Sequence, residues 1–292
     1  MVALILRNLL PAYLKQISFF LNVQNNFMEE IAKFRASRVL WAKIMKERFG
    51  SKSDEACKFR FHAQTAGSSL VAQQPKNNII RTSYQALAAV LGGAQSLHTN
   101  SWDEALSLPT EETASLALRT QQIIAEETNI PASVDPCGGA YAIEKMTLEI
   151  QKKALILIEK IDSMGGMVSS IENGWVQREI QESAFKYQKE IDQGEKKIVG
   201  LNCFNENYDS NISLTKINPE IEREQRERLE SLRKKRNNKV LKNSLQSLSD
   251  AAKNNDNLIP YILNAAKSRA TLGEISDELR NVFGLYKEQV VV

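Results

Sequence analysis

Three short β-like runs alternate with three long helical patterns between residues 16 and 130, and no Asn-Gly or Asp-Gly hairpin signal separates the strands. "QISFFLNV" (16–23) is aromatic and β-branched, with Asn25 and Asn26 behind it as a stop and a helix cap. "FMEEIAKFRASRVLWAKIMKERFG" then puts Phe27, Ile31, Phe34, Val39, Trp41 and Met45 on roughly one helical face, and Gly50 stands where a C-terminal cap belongs. After a polar loop, "SKSDEAC", the run "KFRFHAQTAG" reads as a second strand. "NNIIRTSYQALAAVLGG" reads as a helix with Ile80, Tyr84, Leu87 and Leu91 at helical spacing and a Gly-Gly stop. "AQSLHTN" is the third strand. The helix after it, "TEETASLALRTQQIIAEETNI", opens on Thr110 with glutamates where the helix dipole favours them. Crossovers of this length join parallel strands, so residues 1–130 are expected to form parallel β/α units.

From Pro131 the pattern changes, and residues 131–292 read as a mainly helical extension. "VDPCGGAY" is a turn-rich loop, and "AIEKMTLEIQKKALILIEKIDSM" an amphipathic helix ended by Gly165 and Gly166. "QREIQESAFKYQKEIDQG" is another helix and "KKIVGLNCF" a short strand. The stretch 218–238 is dense in alternating charge, the pattern of a solvated helix rather than of a binding arm. "IPYILNAAKSRA" and "TLGEISDELRNVFG" form a last helical pair.

A length of 292 residues and 42% hydrophobic content suffice for a packed core. A net charge of +3, from 38 basic and 35 acidic residues, suggests no nucleic-acid partner. No stretch approaches the roughly 18 apolar residues of a membrane span. The N-terminal "MVALILRNLLPAYLKQISFFLNV" is interrupted by Arg7 and Lys15 and reads as a core element rather than a targeting signal. Cys57, Cys137 and Cys203 form no CxxC pair and point to free thiols in a reducing, cytoplasmic compartment without a structural metal.

The only two histidines, His62 and His98, lie on the second and third strands. In parallel β/α barrels the chemistry gathers where strands lead into helices. His62 and Gln64 belong to the second such junction. Gln95, His98 and Asn100 lie on and just after the third strand, with Glu104 a helical turn beyond. Any one of these residues can be a structural anchor. Together they form a polar, uncharged rim suited to a neutral polar group such as a thioester carbonyl or an adenosine. Glu104 could accept hydrogen bonds from a ribose. The Gly-Gly pairs at 92–93, 138–139 and 165–166 fit helix stops and match neither GxGxxG nor a P-loop.

These junctions closely resemble the adenosylcobalamin-dependent acyl-CoA mutases of the methylmalonyl-CoA mutase family. The matching text includes "SFFLNVQNNFMEEIAKFRASRVLWAKIMKERFG", "FRFHAQTAGSSLVAQQPKNNIIRT", "QALAAVLGGAQSLHTNSWDEALSLPTEE", "DPCGGAYAIE" and "RATLGEISDELRNVFG". The resemblance implies the last three units of a (β/α)8 TIM barrel around an acyl-CoA thread, followed by the helical extension. It also implies a cobalamin carried mainly by a separate domain or subunit. In the family the cobalt–carbon bond splits, the adenosyl radical takes a substrate hydrogen and the acyl thioester group migrates. The protein supplies orientation and radical protection. Carried over by motif, His62 is the catalytic candidate and, with Gln64, faces the thioester and the adenosyl/cobalamin side. Gln95 touches coenzyme A, and Ser18 and the Gln16 position lie beside its tail. Gln64, Gly67, Asn100 and Glu104 are the cofactor-side set, with Gly67 allowing close approach. His98 stands within the motif without an assigned role.

Two departures stand out. Gln16-Ile17-Ser18 replaces the family's Arg-Leu-Ser or Arg-Ile-Ser, losing a guanidinium for a coenzyme A phosphate. "GGAYAIE" keeps Tyr141 but puts Ala142 where the next aromatic stands. The resemblance begins near the sixth barrel strand, and no DxHxxG cobalamin motif appears. The expected partners are therefore an acyl-CoA, the N-terminal half of the barrel and a cobalamin-binding subunit or domain. The expected reaction is methylmalonyl-CoA to succinyl-CoA, with isobutyryl-CoA/butyryl-CoA as the alternative. An inactive truncated remnant and a helical interaction module are the competing readings.

Overall fold

The computed structural model describes residues 16–206, 215 and 218–287, so the first fifteen residues of the expected N-terminal core element lie outside the described residues. Three strands, β1 (Phe19–Val23), β2 (Phe61–Thr65) and β3 (Ser96–His98), form one parallel sheet in the order β1-β2-β3. Phe20 pairs with His62 and Asn22 with Gln64; His62 pairs with Ser96 and Gln64 with His98. Helix α1 (Phe27–Lys43) crosses from β1 to β2 and ends in a π-type turn, Ile44–Arg48, before Gly50 turns the chain at φ +62°. Asn26 takes the N-cap position without a capping hydrogen bond from its side chain. The stretch "SKSDEAC" is not wholly loop. Asp54–Cys57 forms a short helix, α2, whose buried Ala56 packs with Trp41 and Met45 and accepts a hydrogen bond from the indole at 3.1 Å.

Helix α3 (Asn77–Leu91) crosses from β2 to β3 and stops at Gly92-Gly93, as its sequence predicts. The guanidinium of Arg38 donates to the Gly92 carbonyl, satisfying one of the acceptors that a helix end leaves open. Alternation along β2 decides the core. Phe61, Ala63 and Thr65 are buried under α1 and α3, where Phe61 and Ala63 join Val23, Ile31, Phe34, Ala88 and Ala89. The other face of the sheet carries Phe20, Asn22, His62, Gln64, Ser96 and His98, with Phe20 61% exposed. Parallel sheets are ordinarily covered on both faces. Among the described residues this one is covered on one.

Helix α4 (Glu111–Glu127) starts with a capping box between Thr110 and Thr113, and α5 (Tyr141–Ser163) packs back on α1. A short α6 (Met167–Glu172) and α7 (Trp175–Asp192) follow. The loop before α5 is tied down by Arg35, which donates to both oxygens of Asp135 at 2.8 and 2.9 Å and to Glu144 at 2.8 Å. That pairing raises the Arg35 pKa and holds the Glu144 carboxyl below its ordinary range. "KKIVGLNCF" does not form the expected strand: only one bridge, Val199 to Cys203, is present. Asn202 explains this. Its carboxamide accepts from the Ile198 N–H at 2.7 Å and donates to the carbonyls of Lys196 and Ile191, and Gly200 turns the chain at φ +80°.

The chain divides into two compact units, 1–215 and 216–292, and α5 to α7 fall in the first unit with the sheet. The second unit contains α8 (Pro219–Lys235), α9 (Asn238–Lys253), α10 (Ile259–Lys267) and α11 (Leu272–Phe283). Helix α8 buries no residue and is laced by Arg223 and Arg226 to glutamates three and four positions away, the solvated helix that its charge pattern predicts. Leu248, Ala265 and Ile275 make the core of α9 to α11. No helix among the described residues is long and apolar enough to cross a membrane.

Candidate functional site

The two loops that leave β2 and β3 are built as one piece. Buried Gln85 of α3 accepts from the Ala66 N–H at 3.0 Å and donates to Asn25 and Ser69, both at 2.6 Å, fixing the turn that contains Gly67. Fully buried Asn78 receives the Val71 N–H and donates to the carbonyls of Val71 and Trp102, joining the loop after β2 to the loop after β3. Thr65, at the end of β2, accepts the Asn100 N–H at 2.9 Å. Short polar side chains can saturate loop backbone in this way, and these loops are therefore rigid rather than merely connected.

This bracing brings four of the sequence-predicted residues together. Gln64 donates to the Asn100 side-chain oxygen at 3.3 Å. A Cβ on Gly67 would lie 2.9 Å from Glu104 Oε1 and 3.2 Å from Asn100 Nδ2, so only glycine leaves this space open. Asn100 is 2% exposed, and its Nδ2 has no hydrogen-bond partner among the described residues. A buried amide donor without an acceptor is costly, and it marks a place where an acceptor fits. Burial pushes the Glu104 carboxyl above its ordinary range; His98 pulls it down and Asp103 pushes it further up. Asp103 is itself buried, with Oδ1 unpartnered among the described residues. His98 and Glu104 line a cavity of about 550 Å³ with Thr99, Ser101 and Gln121.

The remaining predicted residues lie towards the other end of the strands. Gln16 and Ser18 are exposed and precede β1. Gln95, expected on the third strand, immediately precedes β3; its amide accepts the Phe61 N–H at 2.7 Å and donates to the Gly93 carbonyl at 2.8 Å. His62 is the second residue of β2, nearer its start than its end, between the two groups. Its Nδ1 lies 2.7 Å from Ser96 Oγ and its ring 5.3 Å from that of Phe20. Motif and spacing do not single out Ser96, Phe20, Thr65 and Gln85. Ser96 could have been found from strand alternation, because it stands two residues before His98 on the same face. Gln85 could not, because nothing in a helical pattern shows that a glutamine points into a loop.

Chemically, the arrangement offers an amide donor, a carboxyl acceptor and a cleared space at one end of an open sheet face, with an imidazole near its middle. No cluster of metal-ligating side chains occurs among the described residues.

The family model described as Methylmalonyl-CoA mutase matches residues 10–285. A probable mitochondrial methylmalonyl-CoA mutase of Caenorhabditis elegans is 44% identical over 275 residues, covering 94% of this chain and 37% of that protein. The 2-hydroxyisobutanoyl-CoA mutase large subunit of Aquincola tertiaricarbonis is 42% identical over 278 residues, covering 94% of this chain and 50% of that protein. Methylmalonyl-CoA mutase of Escherichia coli is 42% identical over 272 residues, covering 93% and 38%. The chain thus spans half or less of the length of these relatives.

Proposed function

The chain belongs to the methylmalonyl-CoA mutase family, and from that premise we propose that it is part of the catalytic portion of an adenosylcobalamin-dependent acyl-CoA mutase. In this reading β1 to β3 and their helices are the last three units of a (β/α)8 barrel, and 131–292 is its helical extension. The first five units and a cobalamin-binding domain or subunit complete the enzyme. The reaction is the interconversion of methylmalonyl-CoA and succinyl-CoA. A related short branched acyl-CoA is the alternative, kept open by the 2-hydroxyisobutanoyl-CoA relative, whose name as a large subunit also favours a separate cobalamin chain.

The observation that carries this reading is the convergence of Gln64, Gly67, Asn100 and Glu104 beside a parallel-sheet face that nothing covers among the described residues. A scaffold helix bundle has no use for an unpartnered buried amide facing a glycine-cleared space. These four residues fit an adenosyl group: Asn100 Nδ2 donates to an acceptor on it, Glu104 accepts from a ribose hydroxyl, and Gly67 admits it to contact. Adenosylcobalamin, when bound, supplies radical initiation by homolysis of its cobalt–carbon bond. This chain's own residues bind and orient. Ser96 fixes the His62 ring through Nδ1, which leaves Nε2 to hydrogen-bond the thioester carbonyl. Gln16, Ser18 and Gln95, towards the starts of the strands, lie along the coenzyme A portion, so the substrate runs along the open face with its acyl end nearest the adenosyl side.

The test is reconstitution. The chain is mixed with a complementing barrel half and a cobalamin-binding chain of a relative, and adenosylcobalamin-dependent mutase turnover is measured. Turnover that requires this chain, and that falls at least tenfold in Asn100→Ala, supports the reading. Turnover unchanged by Asn100→Ala and Glu104→Gln refutes the site. A complex that assembles without turnover identifies an inactive remnant.

A further inference from the structure

A second cavity, of about 640 Å³, lies on the outer side of α3; its lining includes Asn25, which Gln85 also holds, but none of Gln64, Gly67, Asn100 and Glu104. Its walls are Phe27, Ile80, Tyr84 and Leu87, and two cations, Arg81 and Lys197, are the charged groups that line it among the described residues. No carboxylate among the described residues lines it. Arg81 is half-buried, and among the described residues its hydrogen bonds go to neutral acceptors: Asn78 Oδ1 at 2.8 Å and the Val199 carbonyl at 2.6 Å. Burial lowers the Arg81 pKa with no opposing acid among the described residues. Ile80 and Tyr84 remain 57% and 59% exposed, so the apolar wall is open to an incoming molecule.

A guanidinium held against apolar surface is stabilised by an anion, and Arg presents a planar fork that matches a carboxylate. Concave, mainly apolar cavities of about 300–1,000 Å³ with a few convergent polar groups are the usual form of a small-molecule site. A doubly charged, strongly hydrated head would lose more solvation on entering such a wall than a carboxylate would. We propose that this cavity binds an amphipathic monocarboxylate, with the carboxylate at Arg81 and Lys197 and the hydrocarbon against Phe27, Ile80, Tyr84 and Leu87. The proposal does not rest on the mutase reading, because the cavity lies on neither the open sheet face nor the loops that end β2 and β3, although Arg81 and Asn25 touch the Asn78 and Gln85 that brace those loops.

The probe is octanoate, titrated calorimetrically into the full chain at fixed ionic strength, with octanamide as the uncharged control. Saturable one-to-one binding of octanoate is expected, at least tenfold tighter than that of octanamide and at least tenfold weakened by Arg81→Met. Because Arg81 also holds the Val199 carbonyl, a second variant decides if Arg81→Met does not fold. Tyr84→Glu leaves both Arg81 hydrogen bonds in place, changes an exposed position and puts a negative charge beside the site. It should weaken octanoate at least tenfold while altering octanamide far less. Absence of saturable binding overturns the proposal. So does octanamide binding as tightly as octanoate, or indifference of octanoate to Tyr84→Glu.

Discussion

Gly92 shows how one hydrogen atom can set the spacing between α1 and α3. Its φ of −77° and ψ of −7° suit any residue, so Gly92→Ala introduces no backbone strain. Its Cβ, however, would lie 2.4 Å from Phe34 Cδ2 and 3.0 Å from both Phe34 Cβ and the Ala88 carbonyl oxygen. Non-bonded carbons prefer about 3.5–4.0 Å, so the ring would have to move by about 1 Å. It has little room, since Phe34 is fully buried and stacked on Phe61 with ring centres 4.9 Å apart. Overpacking of this kind costs about 1–3 kcal/mol. Restricting the unfolded chain returns about 0.4–1 kcal/mol. At the middle of both ranges the expected net loss is about 1–2 kcal/mol. All three tryptophans, Trp41, Trp102 and Trp175, lie in the first unit, so their emission during urea unfolding reads that unit alone. With a slope of about 2 kcal/mol per molar urea, the midpoint should fall by about 0.5–1 M. A midpoint equal to or above the parent's refutes the argument. Phe34→Leu supplies a second check: it should cost less in the Gly92→Ala background than alone, because it relieves the overlap. Simple additivity would show that the two side chains do not compete for the same space.

Three further outcomes are expected. Gly67→Ala, the same chemical change at a site bounded by the flexible Glu104 side chain, should leave the urea midpoint within about 1 kcal/mol of stability yet lower reconstituted turnover at least tenfold; equal turnover would show that the cleared space is not used. With only two imidazoles to observe, nitrogen NMR of Ser96→Ala should shift the His62 ring resonances and change its tautomer balance, with His98 as the internal reference; unmoved His62 signals would remove Ser96 from the site. In the second unit, the hydrogen bond from Arg236, helped by Thr271, lowers the Glu274 pKa to about 2. A depressed carboxyl stabilises the fold above its ordinary pKa of 4.5 and loses that contribution as pH falls towards 2. Exchange protection of α11 should therefore fall across that window in the parent and stay flat in Glu274→Gln. The same slope in both would refute the pairing.

The order of elements was legible because it follows from local chemistry. The apolar spacing of α1 and α3, the Gly-Gly stop at 92–93 and the Thr110 cap each act within a few residues, and they lie where the sequence places them. The same local logic misread "KKIVGLNCF", where one carboxamide, Asn202, diverts the backbone from strand pairing. It also assigned no element to 239–253, although Leu241, Leu245 and Leu248 stand at helical spacing within α9. The serines and asparagines between them obscured the face.

The candidate site divides along the same line. Sequence by itself determined which residue types were present and, through motif resemblance, named Gln64, Gly67, Asn100 and Glu104 as one set. It also determined the alternation that puts His62 and Gln64 opposite the buried Phe61, Ala63 and Thr65, because a strand's side chains change face at every residue. Only tertiary structure decided that Gln95 turns its amide to the backbone of Phe61 and Gly93. Tertiary structure alone also placed Gly67 against Asn100 and Glu104, some 35 residues along the chain, and left Asn100 Nδ2 without a partner among the described residues. The physical reason is range. Propensity, capping and periodicity act between neighbours, whereas the fit of Gly67 against Asn100 depends on Gln85, Asn78 and Thr65 pulling two distant loops into one rigid piece.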